Sequence, residues 1–198
     1  MKPLADKAWD AWSPSMLADR LRGEPAGWCV VGGWALDLWH GTQTREHEDL
    51  EFAVLRDDIG RFRLRLQDLE FFAAKDGTLT HVARSTSPPA DVAQLWGADL
   101  GQGRWRVDMM VDCGTPDIWV CKRDPAIRMP RPLAIRRSDT SIPYLAPAIT
   151  LLFKAKYRRE KDERDFAMAL PKLSATERAD LGAWLERVHP GHEWIRLL

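Results

Sequence analysis

The chain has 198 residues, 45% of them hydrophobic and ten of them tryptophan, enough for one domain, or one domain with a helical appendage, to bury a core. Its 29 basic and 29 acidic side chains cancel, so no overall field draws it to nucleic acid or to an anionic membrane. Three scattered cysteines (Cys29, Cys113, Cys121) argue against a disulfide framework and a CxxC zinc site; a charged N-terminus and no membrane-length apolar run make a cytoplasmic protein the expectation.

In chain order, Ser13-Pro14 reads as a helix start, and the amphipathic run that follows ends near Gly23. "WCVVG" is a short apolar strand, "GWALDLWHG" a helix of about two turns closed by Gly41, and "LEFAV" a second strand. Ile59, Phe62, Leu66 and Leu69 recur at helical spacing, which predicts a helix packed on a sheet. "EFFAAKD" and "LTHVA" form a hairpin around Asp76-Gly77. "GRWRVDMMVD" alternates, with Trp105, Val107, Met109 and Val111 on one face and Arg106, Asp108, Met110 and Asp112 on the other. "DIWVCKR" is another strand, and the Pro-rich basic stretch after it is a loop with room for one short strand. From Pro147 the period becomes helical, and three helices follow, the last opened by a Ser174/Glu177 capping box. The expected division is a sheet-forming part over 1–145 and a helical part over 146–198.

Asp49 and Glu51 interrupt this pattern. Two residues apart at the start of a buried strand, their carboxylates leave the same face, where they repel unless a cation sits between them. A hard divalent ion such as magnesium relieves that repulsion through carboxylates, waters and phosphates. A solvated charged loop entering an edge strand is the simpler reading of the pair alone. Gly32-Gly33, between a strand and a helix, can present backbone N–H groups to phosphate or merely turn the chain tightly. If the strand of Asp108 lies beside "LEFAV", Asp108 joins Asp49 and Glu51 in a cluster able to hold metal and take a proton from a hydroxyl.

The segment "GGWALDLWHGTQTREHEDLEF" resembles a motif of the nucleotidyltransferase superfamily, nearest to the aminoglycoside and lincosamide branch and its uncharacterised bacterial relatives. The resemblance rests on Gly32, Gly33, Trp34, Asp37, Gly41, Thr44, Arg45, His47, Asp49 and Glu51. The second acid is Glu51 where aspartate is the common choice, and Gly-Gly stands where the wider superfamily has Gly-Ser. The resemblance implies an α/β (α+β) fold, a mixed sheet with flanking helices followed by a helical C-terminal part. It also implies magnesium-dependent transfer of a nucleoside monophosphate from a nucleoside triphosphate, ATP being the expected one, to a hydroxyl. Carried over by position, Asp49 and Glu51 ligate metal, and Asp108 completes the cluster as general base, with Asp112 in reserve. Gly32 and Gly33 lie under the triphosphate, Arg45 steadies phosphates, and His47 either assists or orients the loop. Lys154, ranked above Lys161, brings an ammonium to the triphosphate from the helical part.

The expected acceptor is a small molecule, with aminoglycosides and lincosamides as candidates. Two other readings stay open. One is an RNA or protein acceptor, as in toxin–antitoxin systems, for which "KRDPAIRMPRPLAIRR" offers a basic stretch. The other is a relative that binds nucleotide without catalysis.

Overall fold

The structure is a computed structural model that describes residues 1–25 and 27–198. In chain order the elements are α1 (Pro14–Arg20), β1 (Trp28–Val30), α2 (Gly32–His40), β2 (Glu51–Leu55), α3 (Ile59–Arg65), β3 (Glu70–Lys75), β4 (Thr78–His81), β5 (Gln94–Asp99) and β6 (Arg104–Gly114). They continue with β7 (Ile118–Val120), β8 (Arg128–Pro130), α4 (Arg131–Ala134), β9 (Ile135–Arg137), β10 (Pro143–Leu145), α5 (Pro147–Lys154), α6 (Glu160–Ala169) and α7 (Ala175–Val188). The chain divides into two compact units, the first Met1–Val30 with Arg45–Pro116, the second Val31–Thr44 with Asp117–Leu198. None of the helices is long and apolar enough to cross a membrane among the described residues.

The first unit is built on a sheet with strand order β4-β3-β5-β6-β2-β1. The β3–β4 hairpin turns at Asp76 (φ 49°) and Gly77 (φ 73°), the left-handed pair that a two-residue hairpin requires. Strands β2 and β6 run parallel, while β1–β2, β5–β6 and β3–β5 are antiparallel. One face of the sheet is apolar: Phe52, Val54, Phe71, Leu95, Val107 and Met109 are buried there with Phe62, Leu66 and Leu69. Phe62 of α3 meets Phe52 edge-on at 6.3 Å, so the helical spacing read from the sequence does cover the sheet. Residues 8–12 extend the edge of β6: Trp105 N–H donates to Ala8 O, Asp10 N–H to Trp105 O, and Trp12 N–H to Arg106 O, at 3.0–3.1 Å. Trp9 closes that end by contacts with Trp96 and Trp105.

Strand β5 escaped the sequence reading because it is short and contains Gly97. The structure shows why a glycine is there. The register between β5 and β6 shifts at Gly97/Ala98, and a Cβ on Gly97 would lie 2.8 Å from Val107 Cγ2, 3.0 Å from Leu69 and 3.2 Å from Phe71.

The second unit is mainly helical, with two small antiparallel ladders, β7–β8 and β9–β10. β7 is the strand expected in "DIWVCKR", whereas β8 and β9 fall in the stretch expected to be a loop with one short strand, and β10 lies beyond it; three-residue strands interrupted by prolines carry too little period to be seen. The C-terminal helices match their sequence signals, including reciprocal Ser174/Glu177 capping bonds of 2.8 and 3.2 Å. Arg123 donates to the carbonyls of Leu152 and Phe153 (both 2.9 Å), satisfying the open end of α5. Trp194 stacks on Phe166 at 4.1 Å and donates through Nε1 to Glu163.

Inside this unit Lys154 is buried, with its ammonium 2.8 Å from Asp165 and 3.3 Å from Asp162. Asp162 also accepts from the Arg159 guanidinium (2.8 Å) and backbone N–H (3.2 Å) at the start of α6. Burial pulls the Asp162 carboxyl upward, but the Arg159 hydrogen bond and the Lys154 charge outweigh it and hold the carboxyl below its ordinary range.

Two stability tests follow from this packing. Gly97→Ala forces a methyl group into buried, β-branched Val107 and is expected to cost about 1–3 kcal/mol, read as a lower midpoint in urea. Lys154→Met removes the shared cation from two buried aspartates. The expected loss is about 3 kcal/mol, at the low end for a broken buried pair because Arg159 still holds Asp162; thermal unfolding then shifts down by roughly 6–12 °C.

Candidate active site

The acids singled out in the sequence meet on the face of the first unit's sheet opposite Phe52. In the parallel β2–β6 ladder Glu51 is the register partner of Asp108, and Asp108 N–H donates to Leu50 O at 2.8 Å. Paired positions in a ladder send their side chains to the same face, so the register alone sets the two carboxylates side by side. Asp49, one residue beyond Leu50, completes the group. One carboxylate oxygen from each of Asp49, Glu51 and Asp108 lies within 4.8 Å of the others. Asp112, the reserve candidate, pairs with Leu55 four residues further along β6, about 13 Å away at strand rise. Its carboxylate accepts from the Cys113 N–H at 3.0 Å.

Asp108 is only 2% exposed, whereas Asp49 and Glu51 are half-buried. Burial and the neighbouring Glu51 charge push the Asp108 carboxyl well above the ordinary carboxylate range, with Asp49 adding to the effect; a hydrogen bond from Gln94 and the nearby Trp96 indole N–H oppose it. Gln94 Nε2 donates to Asp108 Oδ2, while Oδ1, equally buried, accepts no hydrogen bond among the described residues. A buried carboxylate oxygen without a donor is costly on its own. The donor set is all carboxylate oxygen, grouped at short range and partly solvent-facing, which fits a hard divalent cation such as magnesium.

Arg106, one internal arginine that could have neutralised the cluster, is engaged elsewhere: its guanidinium is directed to Asp10, Asp99 and Gln102. Arg45 is near the surface and donates to Glu46 O at 3.0 Å.

The remaining motif residues belong to the second unit, apart from Arg45 and His47. Gly32 (φ 66°) opens α2, whose N-cap Val31 supplies no side-chain cap, so the first-turn N–H groups are left to other partners. Gly41 ends the helix in the left-handed region (φ 76°). Asp37, buried in α2, accepts from the N–H of Thr44 (3.1 Å) and from its hydroxyl (2.5 Å). These two motif positions had no chemical role in the sequence reading; their role is to fasten the loop that leads from the helix toward Asp49. Lys154, expected beside a triphosphate, has its ammonium committed to Asp162 and Asp165. The sequence pointed to a packed stem with an inward-reaching ammonium, and that much is observed. The partners are the acids of the following helix. Gln94 was not singled out, because a lone glutamine in a short strand carries no signal until the ladder places it beside Asp108.

A family model described as aminoglycoside-2''-adenylyltransferase matches residues 15–88, a span that contains Gly32 through Glu51 but not Asp108. The structure resembles that of ANT(2'')-Ia in complex with adenylyl-2''-tobramycin, with a TM-score of 0.57 over 88% of this chain and 94% of that one, at 12% identity. It also resembles the lincomycin-bound lincosamide antibiotic adenylyltransferase LnuA, with a TM-score of 0.54, 84% and 96% coverage and 15% identity. No curated protein sequence matches the chain. At such identities the structural likeness is one of fold, and the family match adds the N-terminal sequence pattern; together they support a nucleotidyltransferase enzyme. The chain thus carries the nucleotidyltransferase fold and, over residues 15–88, the sequence pattern of the aminoglycoside-2''-adenylyltransferase family.

Proposed function

We propose that this protein transfers a nucleoside monophosphate from a nucleoside triphosphate, ATP in the first instance, to a hydroxyl of a small molecule of the aminoglycoside or lincosamide type. The observation that carries the reading is the three-carboxylate cluster at the β2–β6 register, with its buried, unsatisfied Asp108 oxygen. The family match over residues 15–88 and the antibiotic ligands of the two similar structures support this choice of acceptor class.

In this reading Asp49, Glu51 and Asp108 hold magnesium, which when bound offsets their mutual repulsion and the charge of the triphosphate. The acceptor oxygen forms a bond to the α-phosphorus, the bond from that phosphorus to the β-bridging oxygen breaks, and pyrophosphate leaves. The hydroxyl proton passes to the Asp108 carboxylate. The first-turn N–H groups at Gly32 and Gly33 supply donors for phosphate oxygens, and Arg45 a cation. Lys154 is assigned to the fold, because moving its ammonium to a phosphate would strip a buried counter-ion from Asp162 and Asp165. His47 receives no role in the chemistry.

The raised Asp108 carboxyl makes a prediction for the metal-free protein. Its unfolded value is near 3.9, so above that pH the folded state keeps a proton that the unfolded state releases. Stability then falls as pH rises until Asp108 ionises in the fold. Compared with Asp108→Asn, the wild type should lose thermal stability progressively from about pH 4 upward, and magnesium should restore it. Parallel melting curves of the two proteins that show no divergence with pH would remove this account of the cluster.

Asp108→Asn should also slow pyrophosphate release by roughly 100-fold or more with a responsive acceptor, while Asp112→Asn stays close to wild type. A panel of aminoglycosides, lincosamides, transfer RNA and proteins with magnesium and labelled triphosphates identifies the acceptor. Equal loss in Asp112→Asn would reassign the base.

A further inference from the structure

The cluster is held from outside by a residue that does not itself offer a ligand atom to the group of three. Gln94 opens β5, and its side-chain amide donates to Asp108 Oδ2. The site of that amide is fixed over several residues. Ala93 O accepts from the Val111 N–H at 2.9 Å, and Val92 O accepts from Arg56 Nη2 at 2.6 Å. Arg56 follows directly on β2, the strand that begins with Glu51. In the ladder Gln94 faces Met110 and Trp96 faces Asp108, so the glutamine reaches Asp108 diagonally along the face the acids share.

A carboxylate whose two oxygens both lacked donors could rotate about its Cβ–Cγ bond and would resist ionisation at this depth. With Oδ2 fixed by an amide donor, the carboxylate plane is set; Oδ1 forms no hydrogen bond among the described residues, the indole N–H of its ladder neighbour Trp96 being near but itself unbonded, and is the oxygen left for a cation. An outer partner that orients a ligand and stabilises its charged form is a general requirement of metal sites. We infer that Gln94 is a positioning residue for the divalent-cation site formed by Asp49, Glu51 and Asp108, acting through Asp108 Oδ2. The inference rests on the metal reading given above.

The test is titration of wild type, Gln94→Met and Gln94→Asn with Mn2+ alone, without nucleotide, by calorimetry across a pH series. Methionine keeps the length and removes the donor, and asparagine keeps the amide but is one methylene too short to reach. Circular dichroism checks that each variant is folded, and two variants guard against one failing to fold. Both variants should bind Mn2+ about tenfold more weakly than wild type, and the pH at which binding is half-maximal should move upward. A purely structural role would lower the melting temperature and leave the Mn2+ affinity and its pH midpoint in place; that result overturns the proposal while leaving the metal site standing. No Mn2+ binding by the wild type would overturn the metal reading and the Gln94 role together.

Discussion

Everything proposed for this protein depends on one backbone hydrogen bond and the register it fixes: Asp108 N–H to Leu50 O, with Glu51 opposite Asp108 in a parallel ladder. A slip by one residue would send Asp108 to the apolar face and bring Val107 or Met109 beside Glu51. The register is protected from that slip on the other side of the sheet. Val107 and Met109 are buried there with Phe52 and Val54, and a slip of β6 would turn both off that face while turning the Asp108 carboxylate onto it. The apolar face therefore positions the acidic one. Gly97 belongs to the same constraint, since it lets β5 approach Val107 closely enough to keep β6 in place.

The cluster works against the stability of the fold that builds it. Three carboxylates within 4.8 Å, one of them fully buried, raise the energy of the ionised apoprotein, and burial and Glu51 answer by pushing the Asp108 carboxyl upward. Elsewhere the molecule pairs its buried charges. Arg106 is shared by Asp10, Asp99 and Gln102, and Lys154 by Asp162 and Asp165. Arg63 donates to three loop carbonyls. Asp108 instead lies buried beside two further acids, and a buried carboxylate among like charges marks a candidate functional site.

How much of this was legible in the sequence follows from what each signal is made of. A helix with an apolar period, such as α3, one with a capping box, such as α7, and the alternating β6 were readable because their patterns are local. Asp49 and Glu51 stood out because two like charges in an apolar run need an explanation, and Asp108 could be proposed on condition that its strand paired with β2. The pairing itself is a tertiary fact. Gln94 and the Asp37–Thr44 bond were invisible for the same reason: each acquires meaning only from what the fold sets beside it. Lys154 shows the converse. Its burial was foreseeable from the preceding apolar run, but its partners lie in the next helix, where the acids had looked like a solvated charged face.

The proposal made for the β2–β6 register is that it holds a divalent cation among Asp49, Glu51 and Asp108. Anomalous diffraction from crystals of the protein soaked in Mn2+ addresses it directly. The account predicts a single strong peak within ligand distance of all three carboxylates. A map with no peak there, or with one only at acids elsewhere on the surface, would contradict it.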